Sequence, residues 1–360
     1  MKYYVIAGEP SGDLHGSNML KELKRKDPNI QLRYWGGDKM QEVVGCPPVK
    51  HIKHLAFMGF VAVIRNLRTI LNNIKKCKRD IDAFEPDVVV LIDYPGFNLR
   101  IAEYAKKKGY KVAYYIAPQV WAWKPKRIEK LKSFVDELMV ILPFEKEYFE
   151  SRGKKAHFVG HPLKNAIEGY EVGKIEFPSK DPVIALLPGS RRQELERMLP
   201  VMNHLKIQGY QFVVAGTKPH QSKTYLELGM TNFPVVFDAT YDILAHASYA
   251  VVTSGTATLE AAMWKVPQVV VYKGSRLMYE VGRRLVNVDF ISLVNLIAGK
   301  EVVKELIQDE CTVAAIEKEL RRLISSDSAI EDAYSSVAQK LGTENASVES
   351  AKIIFDLAKG

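Results

Sequence analysis

Arg191 follows a run of five apolar residues, Val183 to Leu187, that breaks at Pro188-Gly189 and gives way to a helical pattern with Ser190, Glu194 and Glu196 in its opening turns. A buried strand, a glycine corner and a capped helix start in that order make an anion pocket, because the free N–H groups and the positive end of the helix dipole point at the corner. Ser190 is the expected cap, and the planar Arg191 guanidinium suits a phosphate oxygen. The same pattern also fits an ordinary βα corner with an exposed arginine. A second corner, Thr253-Ser-Gly-Thr-Ala-Thr-Leu-Glu260, repeats the chemistry. Backbone amides at Gly255 with the hydroxyls of Ser254 and Thr256 could take a diphosphate, and Glu260, one turn inside the helix, could accept both hydroxyls of a ribose. Two phosphate-suited corners, at Gly189 and Gly255, favour a nucleotide-diphosphate ligand.

Proton transfer needs a different residue. The apolar run Val88 to Ile92 ends at Asp93-Tyr-Pro-Gly-Phe-Asn98 and places a carboxylate on a strand end, where a general base is held in position. The competing reading is an Asx turn or a helix cap by Asp93. The first apolar run, Tyr3 to Ala7, ends at Gly8-Glu-Pro-Ser-Gly-Asp13-Leu-His15-Gly16, a turn of small residues that lets backbone approach a ligand or simply turns tightly. It matches neither the dinucleotide fingerprint nor the P-loop. Trp121 and Trp123, two of four tryptophans, share a loop with Lys124, Lys126 and Arg127. At least one is expected to pack beneath the loop, which leaves the other for an apolar or sugar ligand.

These residues need strand ends to hold them. Candidate strands run from Tyr3 to Ala7, Leu32 to Trp35, Val88 to Ile92, Lys111 to Ile116, Glu137 to Ile141 and His157 to Val159, with helical patterns between them around Leu14 to Lys24, Ile64 to Phe84, Leu99 to Lys108, Lys126 to Phe134 and Phe144 to Ser151. A stretch without apolar period after Gly160-His-Pro162 reads as a connection. Alternation restarts with Val183 to Leu187, Gln211 to Ala215, Val235 to Phe237, Tyr249 to Val252 and Val269 to Tyr272, and from Leu277 the chain reads as helical almost throughout. The fold class expected is α/β, two Rossmann-like domains facing across a cleft with a helical C-terminal tail, and with the site at the carboxyl ends of both sheets. The first domain spans residues 1–165 and the second 166–346.

The 360 residues carry 47% hydrophobic and 26% charged side chains, the balance of a soluble globular protein of two domains. A formal charge of +9 favours an acidic partner without choosing among nucleic acid, anionic lipid and phosphorylated substrate. The three cysteines form no CxxC pair, and no HExxH, EF-hand loop or Cys/His cluster is present, so neither a disulfide framework nor a metal site is expected. Asp80 and Asp82, spaced as in a DxD motif, fall in a helical pattern where residues two apart diverge. No signal peptide or transmembrane segment is expected. The stretch Leu55 to Arg79 joins an apolar segment containing Phe57, Met58 and Phe60 to a basic helix containing Arg65 and Arg68. It suits an anionic membrane interface as well as a core helix with a solvated basic face.

Gly8-Glu-Pro-Ser-Gly-Asp-Leu-His15, Ile92-Asp-Tyr-Pro-Gly-Phe-Asn98, Pro118-Gln-Val-Trp-Ala-Trp123, Leu142-Pro-Phe-Glu145, Val159-Gly-His-Pro162, Leu186-Leu-Pro-Gly-Ser-Arg191, Ser254-Gly-Thr-Ala-Thr-Leu-Glu260 and Ser292-Leu-Val-Asn-Leu-Ile-Ala-Gly299 together closely resemble the lipid-A-disaccharide synthase family. The resemblance implies an inverting, metal-independent GT-B glycosyltransferase without cofactor. It would act as a peripheral protein on the cytoplasmic face of the Gram-negative inner membrane. Its substrates would be UDP-2,3-diacylglucosamine and 2,3-diacylglucosamine 1-phosphate (lipid X), joined by a β-1,6 bond with release of UDP. No nucleic acid partner is implied, and protein partners are not indicated. By matching position, Gly189, Ser190, Arg191, Ser254, Gly255, Thr256, Glu260 and Asn295 belong to the donor side. Glu9, Ser11 and Asp13 of the first turn, with Trp121 and Trp123, belong to the acceptor side, and Asp93 is the expected base with His15 second. The final helix, residues 347–360, is expected to complete the first domain. Two departures stand out, since many members have an aspartate where this chain has Gly96, and some have one at Asn165. A UDP-sugar 2-epimerase of the same two-domain plan, or a non-catalytic lipid- or nucleotide-sugar-binding protein, is the alternative.

Overall fold

The computed structural model of the chain describes residues 1–55, 66–217, 222–275, 279, 288–325 and 329–360. It divides into two compact units, Met1–Pro162 with Leu341–Gly360, and Leu163–Lys340. The connection after Gly160 opens with a helix, Pro162–Glu168, and the chain re-enters the first unit at Leu341, ahead of the Ser347 assigned from sequence.

The first unit contains β1 (Lys2–Ala7), β2 (Gln31–Gly36), β3 (Lys50–His51), β4 (Val88–Ile92), β5 (Lys111–Tyr115), β6 (Glu137–Val140) and β7 (His157–Phe158). They form one parallel sheet in the order β3-β2-β1-β4-β5-β6-β7. Side chains alternate between its faces, and both faces are covered. Tyr4, Ile6, Val89 and Leu91 join a core with Ile74, Cys77 and Ile81 of the Leu67–Phe84 helix, whereas Tyr3, Val5, Val88 and Val90 join a core with Met19, Leu20, Ala351 and Ile354 from the first and last helices. That two-sided burial is why these strands read as unbroken apolar runs.

The second unit contains β8 (Val183–Leu187), β9 (Gln211–Gly216), β10 (Val235–Phe237), β11 (Ala247–Thr253), β12 (Gln268–Tyr272) and β13 (Glu305–Ile307). The sheet order is β10-β9-β8-β11-β12-β13, again parallel throughout. In each sheet the strand order reverses once, between β1 and β4 and between β8 and β11. The carboxyl ends flanking such a reversal form a crevice suited to ligands.

Two strands lay outside the sequence expectations. Lys50–His51 is a two-residue edge, and Glu305–Ile307 lies within the C-terminal stretch read as helical. The expected helices in the first unit are present with shifted ends, and a further short one, Asp38–Val44, follows Gly37.

Candidate active site

In the first unit, Glu9 follows β1 and Asp93 follows β4, so the reversal point brings two carboxylates to one end of the sheet. The corner after β4 is strained. Asp93 and Tyr94 are consecutive non-glycine residues at φ 44° and 49°, a conformation that costs each about 1–3 kcal/mol and persists only when the surroundings hold it. The hold is visible here. Asn98, fully buried, donates from its amide to the Ile92 carbonyl at 3.1 Å and the Asp93 carbonyl at 2.8 Å, and the Tyr114 hydroxyl donates to the same Asp93 carbonyl at 2.6 Å. Gly8 completes the packing, because a Cβ there would stand 2.3 Å from the Tyr94 ring. The Tyr94 hydroxyl donates to the Leu55 carbonyl at 3.2 Å.

Burial, reinforced by the charge of Glu9, raises the Asp93 carboxyl to about 6. His15, in the second turn of the helix Pro10–Lys26, is pushed by burial down to about 4, and the buried His161 likewise to about 4, with His15 contributing. Ser11 is exposed on that helix. Asp13, expected on the acceptor side, is buried and committed elsewhere: its carboxylate accepts from the backbone N–H of Gly37, Lys39 and Met40 and so caps the helix Asp38–Val44. Trp121 is likewise tied down, its indole donating to Glu145 Oε1 at 2.9 Å with Phe144 edge-on. Glu145 itself, 1% exposed, accepts from the N–H of Ile141 and Leu142, and burial raises it to about 7. Trp123 is the exposed member of the pair, with Lys124 over its ring.

In the second unit a cavity of about 540 Å³ lies at the carboxyl ends of β8, β9 and β11. It is lined by both glycine corners and by Arg191, Tyr241 and Glu260. Gly189 adopts φ 104° and Gly255 φ 153°, so the backbone turns where other residues would be strained. The helix after Gly255, Thr256–Met263, starts without a side-chain cap. Ser254 donates its hydroxyl to the Ile291 carbonyl at 2.8 Å. Burial raises Glu260 to about 7, and the neighbouring Tyr241, which lines the same cavity, opposes the rise.

The corner after β8 differs from expectation in one respect. The N-cap of the helix Arg192–Met202 is Arg191 rather than Ser190, and the amides of Ser190 and Arg191 already donate to Glu194 Oε2, at 3.0 and 3.1 Å. The Glu194 carboxylate lies over Gly189, where a Cβ would meet Oε2 at 2.4 Å. Arg191 pairs loosely with it at 3.7 Å and remains 63% exposed. A folded-back glutamate three residues into a helix is a frequent cap, and here it occupies the position assigned to phosphate.

Asn295, grouped with the donor residues from sequence, does not line the cavity. It is fully buried, its amide nitrogen donating to the Val303 carbonyl and Glu305 while its oxygen accepts from the N–H of Val302 and Val303. Thr217, Thr240, Tyr241 and Thr253 line the cavity without having been singled out. Thr217 and Thr253 lie at the ends of β9 and β11, where the strand-end rule points; Tyr241 carries no motif.

Asp80 and Asp82 diverge, Asp80 accepting from Arg33 and Tyr4 and Asp82 from Tyr104. Of the membrane-facing candidates, Phe57, Met58, Phe60 and Arg65 lie outside the described residues. Arg68 is exposed on the helix Leu67–Phe84, beside Leu67 and Leu71, which are 48% and 45% exposed. Among the described residues no helix is long and apolar enough to cross a membrane.

The lipid-A-disaccharide synthetase family profile matches residues 3–355. The lipid-A-disaccharide synthase of Geobacter metallireducens is 36% identical over 98% of this chain and 96% of its own length. That of Coxiella burnetii is 36% identical over 98% and 97%. Among solved structures, the glycosyltransferase of kitacinnamycin aligns over 99% of this chain and 98% of its own with a TM-score of 0.67 at 13% identity. A Staphylococcus aureus MnaA–UDP co-structure aligns over 99% and 97% with a TM-score of 0.65 at 13% identity. Those two likenesses concern the fold, which is GT-B. The chain belongs to the lipid-A-disaccharide synthase family of glycosyltransferases.

Proposed function

We propose that the chain joins UDP-2,3-diacylglucosamine to 2,3-diacylglucosamine 1-phosphate through a β-1,6 bond, with inversion and release of UDP. The observation that carries the reading is the cavity built from both glycine corners, with Arg191 at its wall for the diphosphate and Glu260 for the ribose. The acceptor's 6-hydroxyl attacks the donor's anomeric carbon, the bond from that carbon to the UDP oxygen breaks, and the hydroxyl proton leaves to a base. Arg191 and the helix starts at the two corners offset the charge that grows on the departing diphosphate.

Asp93 is the base in this reading. A base works best when its pKa lies near the working pH, and Asp93 at about 6 is closer to neutrality than His15 at about 4. Glu9 and Ser11 serve the acceptor, and Trp123 offers an exposed aromatic face to a sugar or acyl chain. The helix Leu67–Phe84 serves as the attachment to an anionic membrane: Leu67 and Leu71 are apolar and exposed, and Arg68, Lys75 and Arg79 add charge. Attachment would place the protein peripherally on the cytoplasmic side of the inner membrane, where both lipid substrates are reached.

The test is incubation of the pure chain with the diacylated donor and acceptor while UDP is measured. UDP release that requires both substrates supports the reading. Release without acceptor, or epimerisation of a UDP-sugar at C2, overturns it.

A further inference from the structure

The loop after β5 is strained at both ends. Ile116, which is β-branched, adopts φ 59°, and Lys124 adopts φ 53°. Left-handed backbone is unfavourable for both, most of all for the branched side chain, and persists only where the surroundings impose it. From below, Ala117 and Val120 are buried in the core on one face of the sheet, and the Ala117 N–H donates to the Met139 carbonyl at 3.1 Å. From the side, Glu145 holds the loop through Trp121. Its Oε2 accepts from the N–H of Leu142 at 3.0 Å and of Ile141 at 3.3 Å, just past the end of β6, while Oε1 accepts the Trp121 indole N–H at 2.9 Å. One oxygen suffices to cap the helix Pro143–Glu150; the other is committed to the loop.

The loop leaves the sheet beside the Asp93 corner. Ile92 on β4 lies opposite Tyr115 on β5, and the Asp93 N–H donates to the Tyr115 carbonyl at 3.1 Å. At the far end of the loop the Trp123 ring is 37% exposed, with the Lys124 ammonium 5.4 Å from its centroid. Trp121 and Trp123 flank Ala122, so fixing the first ring fixes the backbone that carries the second. We propose that Glu145 is a positioning residue for the acceptor, holding the strained loop 116–124 through Trp121 in the shape that offers Trp123 to the acceptor's sugar or acyl chain. This rests on the acceptor reading above. Without the Glu145–Trp121 bond the strain at Ile116 and Lys124 is free to relax, the Trp123 ring spreads over several positions, and binding must order it again. That cost falls on acceptor binding and not on the chemical step, so it appears in KM rather than in kcat.

The test is steady-state UDP release by the full chain, with the acceptor varied at saturating donor. Trp121→Phe removes the indole donor, keeps a ring against Phe144 and leaves the helix cap in place. It should raise the acceptor KM about fivefold to tenfold, with kcat held within about twofold and UDP affinity unchanged. Glu145→Gln has one acceptor oxygen for the donors of Trp121, Ile141 and Leu142, and should act in the same direction. Trp123→Ala should raise the same KM, and Trp121→Phe added to it should cost nothing further, because the hold acts through that ring. Additive effects in the double variant would overturn the positioning role, as would an unchanged acceptor KM in Trp121→Phe, even with a lower melting temperature. A fall in kcat with KM held would do so as well. If Trp123→Ala leaves the acceptor KM unchanged, the acceptor role of Trp123 falls and takes the inference with it; if wild-type turnover does not depend on the acceptor, the proposed function itself falls.

Discussion

The two sheets reverse their strand order in the same way, yet the corners at the two reversal points are built from opposite materials. In the first unit the corner after β4 uses no glycine where its backbone is left-handed: Asp93 and Tyr94 sit at positive φ, and Asn98 and Tyr114 clamp the Asp93 carbonyl. In the second unit both corners turn on glycines, Gly189 and Gly255, and the cavity-lining groups are dispersed over three strand ends. A corner that must deliver one carboxylate needs that side chain, so it accepts backbone strain and stabilises it from outside. A corner that must surround an extended anion needs the backbone close by, and glycine allows the approach.

The sharpest way to break this contrast is to remove the charge from the first corner alone. Asp93→Asn keeps the shape but cannot accept a proton, so turnover should fall by roughly two to four powers of ten while UDP affinity holds. In the wild-type chain, protonation of Asp93 should make kcat/KM fall as pH drops below about 6, the value to which burial and Glu9 raise its carboxyl. The limb lies on the acid side because the ionised form is the active one. Gly96 offers a control, since nothing lies within 4 Å of a Cβ at that position. Gly96→Asp added to Asp93→Asn should restore part of the lost turnover if a carboxylate at this corner is what the reaction needs. Unchanged turnover in Asp93→Asn would remove the charge-delivering role from the first corner.

The next effect belongs to the second unit. Arg191→Ala removes an exposed cation without disturbing the core, so UDP affinity should fall about tenfold to a hundredfold, the loss of one charge-assisted contact, with the melting temperature unchanged. Calorimetric titration with UDP checks it. A smaller effect separates lipid from nucleotide. Arg79→Ala should weaken attachment to anionic vesicles about fivefold, with a salt dependence that falls accordingly, and leave UDP affinity alone. Co-sedimentation with vesicles at two salt concentrations reads both.

The smallest effect concerns Glu194, whose carboxylate holds the Ser190 and Arg191 amides that a diphosphate would need. Glu194→Gln retains an oxygen to cap the helix but removes the repulsion, so UDP affinity should rise about threefold. A drop in affinity would make Glu194 a partner of the donor rather than its competitor.

Much of the fold was legible because both faces of each sheet are covered, which turns β1, β4 and β8 into continuous apolar runs ended by Gly8, Asp93 and Pro188. Glu305–Ile307 was not legible, since three residues between Lys304 and Gln308 carry no period, and Glu305 is occupied by the amides of Ile291 and Ser292 and by Asn295. The glycines of the second corner and the carboxylate of the first could be read from their place after a strand. What sequence could not show was which polar side chains turn inward. Asp13 caps a neighbouring helix, Asn295 ties a loop and Glu194 folds back on its own amides, and none of these choices is encoded by spacing.

The last helix has a consequence for how the protein is made. Ala346–Lys359 covers the face of the first sheet carrying Tyr115, Met139 and Val159, although some 180 residues of the second unit separate it from Pro162. On a ribosome adding about 5–20 residues per second, the first unit therefore waits on the order of ten seconds or more with only the first helix on that face. The second unit, continuous from Leu163 to Lys340, has all of its own segments before then. The half made first is thus the half completed last, and its partly uncovered apolar face is what a chaperone would meet during synthesis.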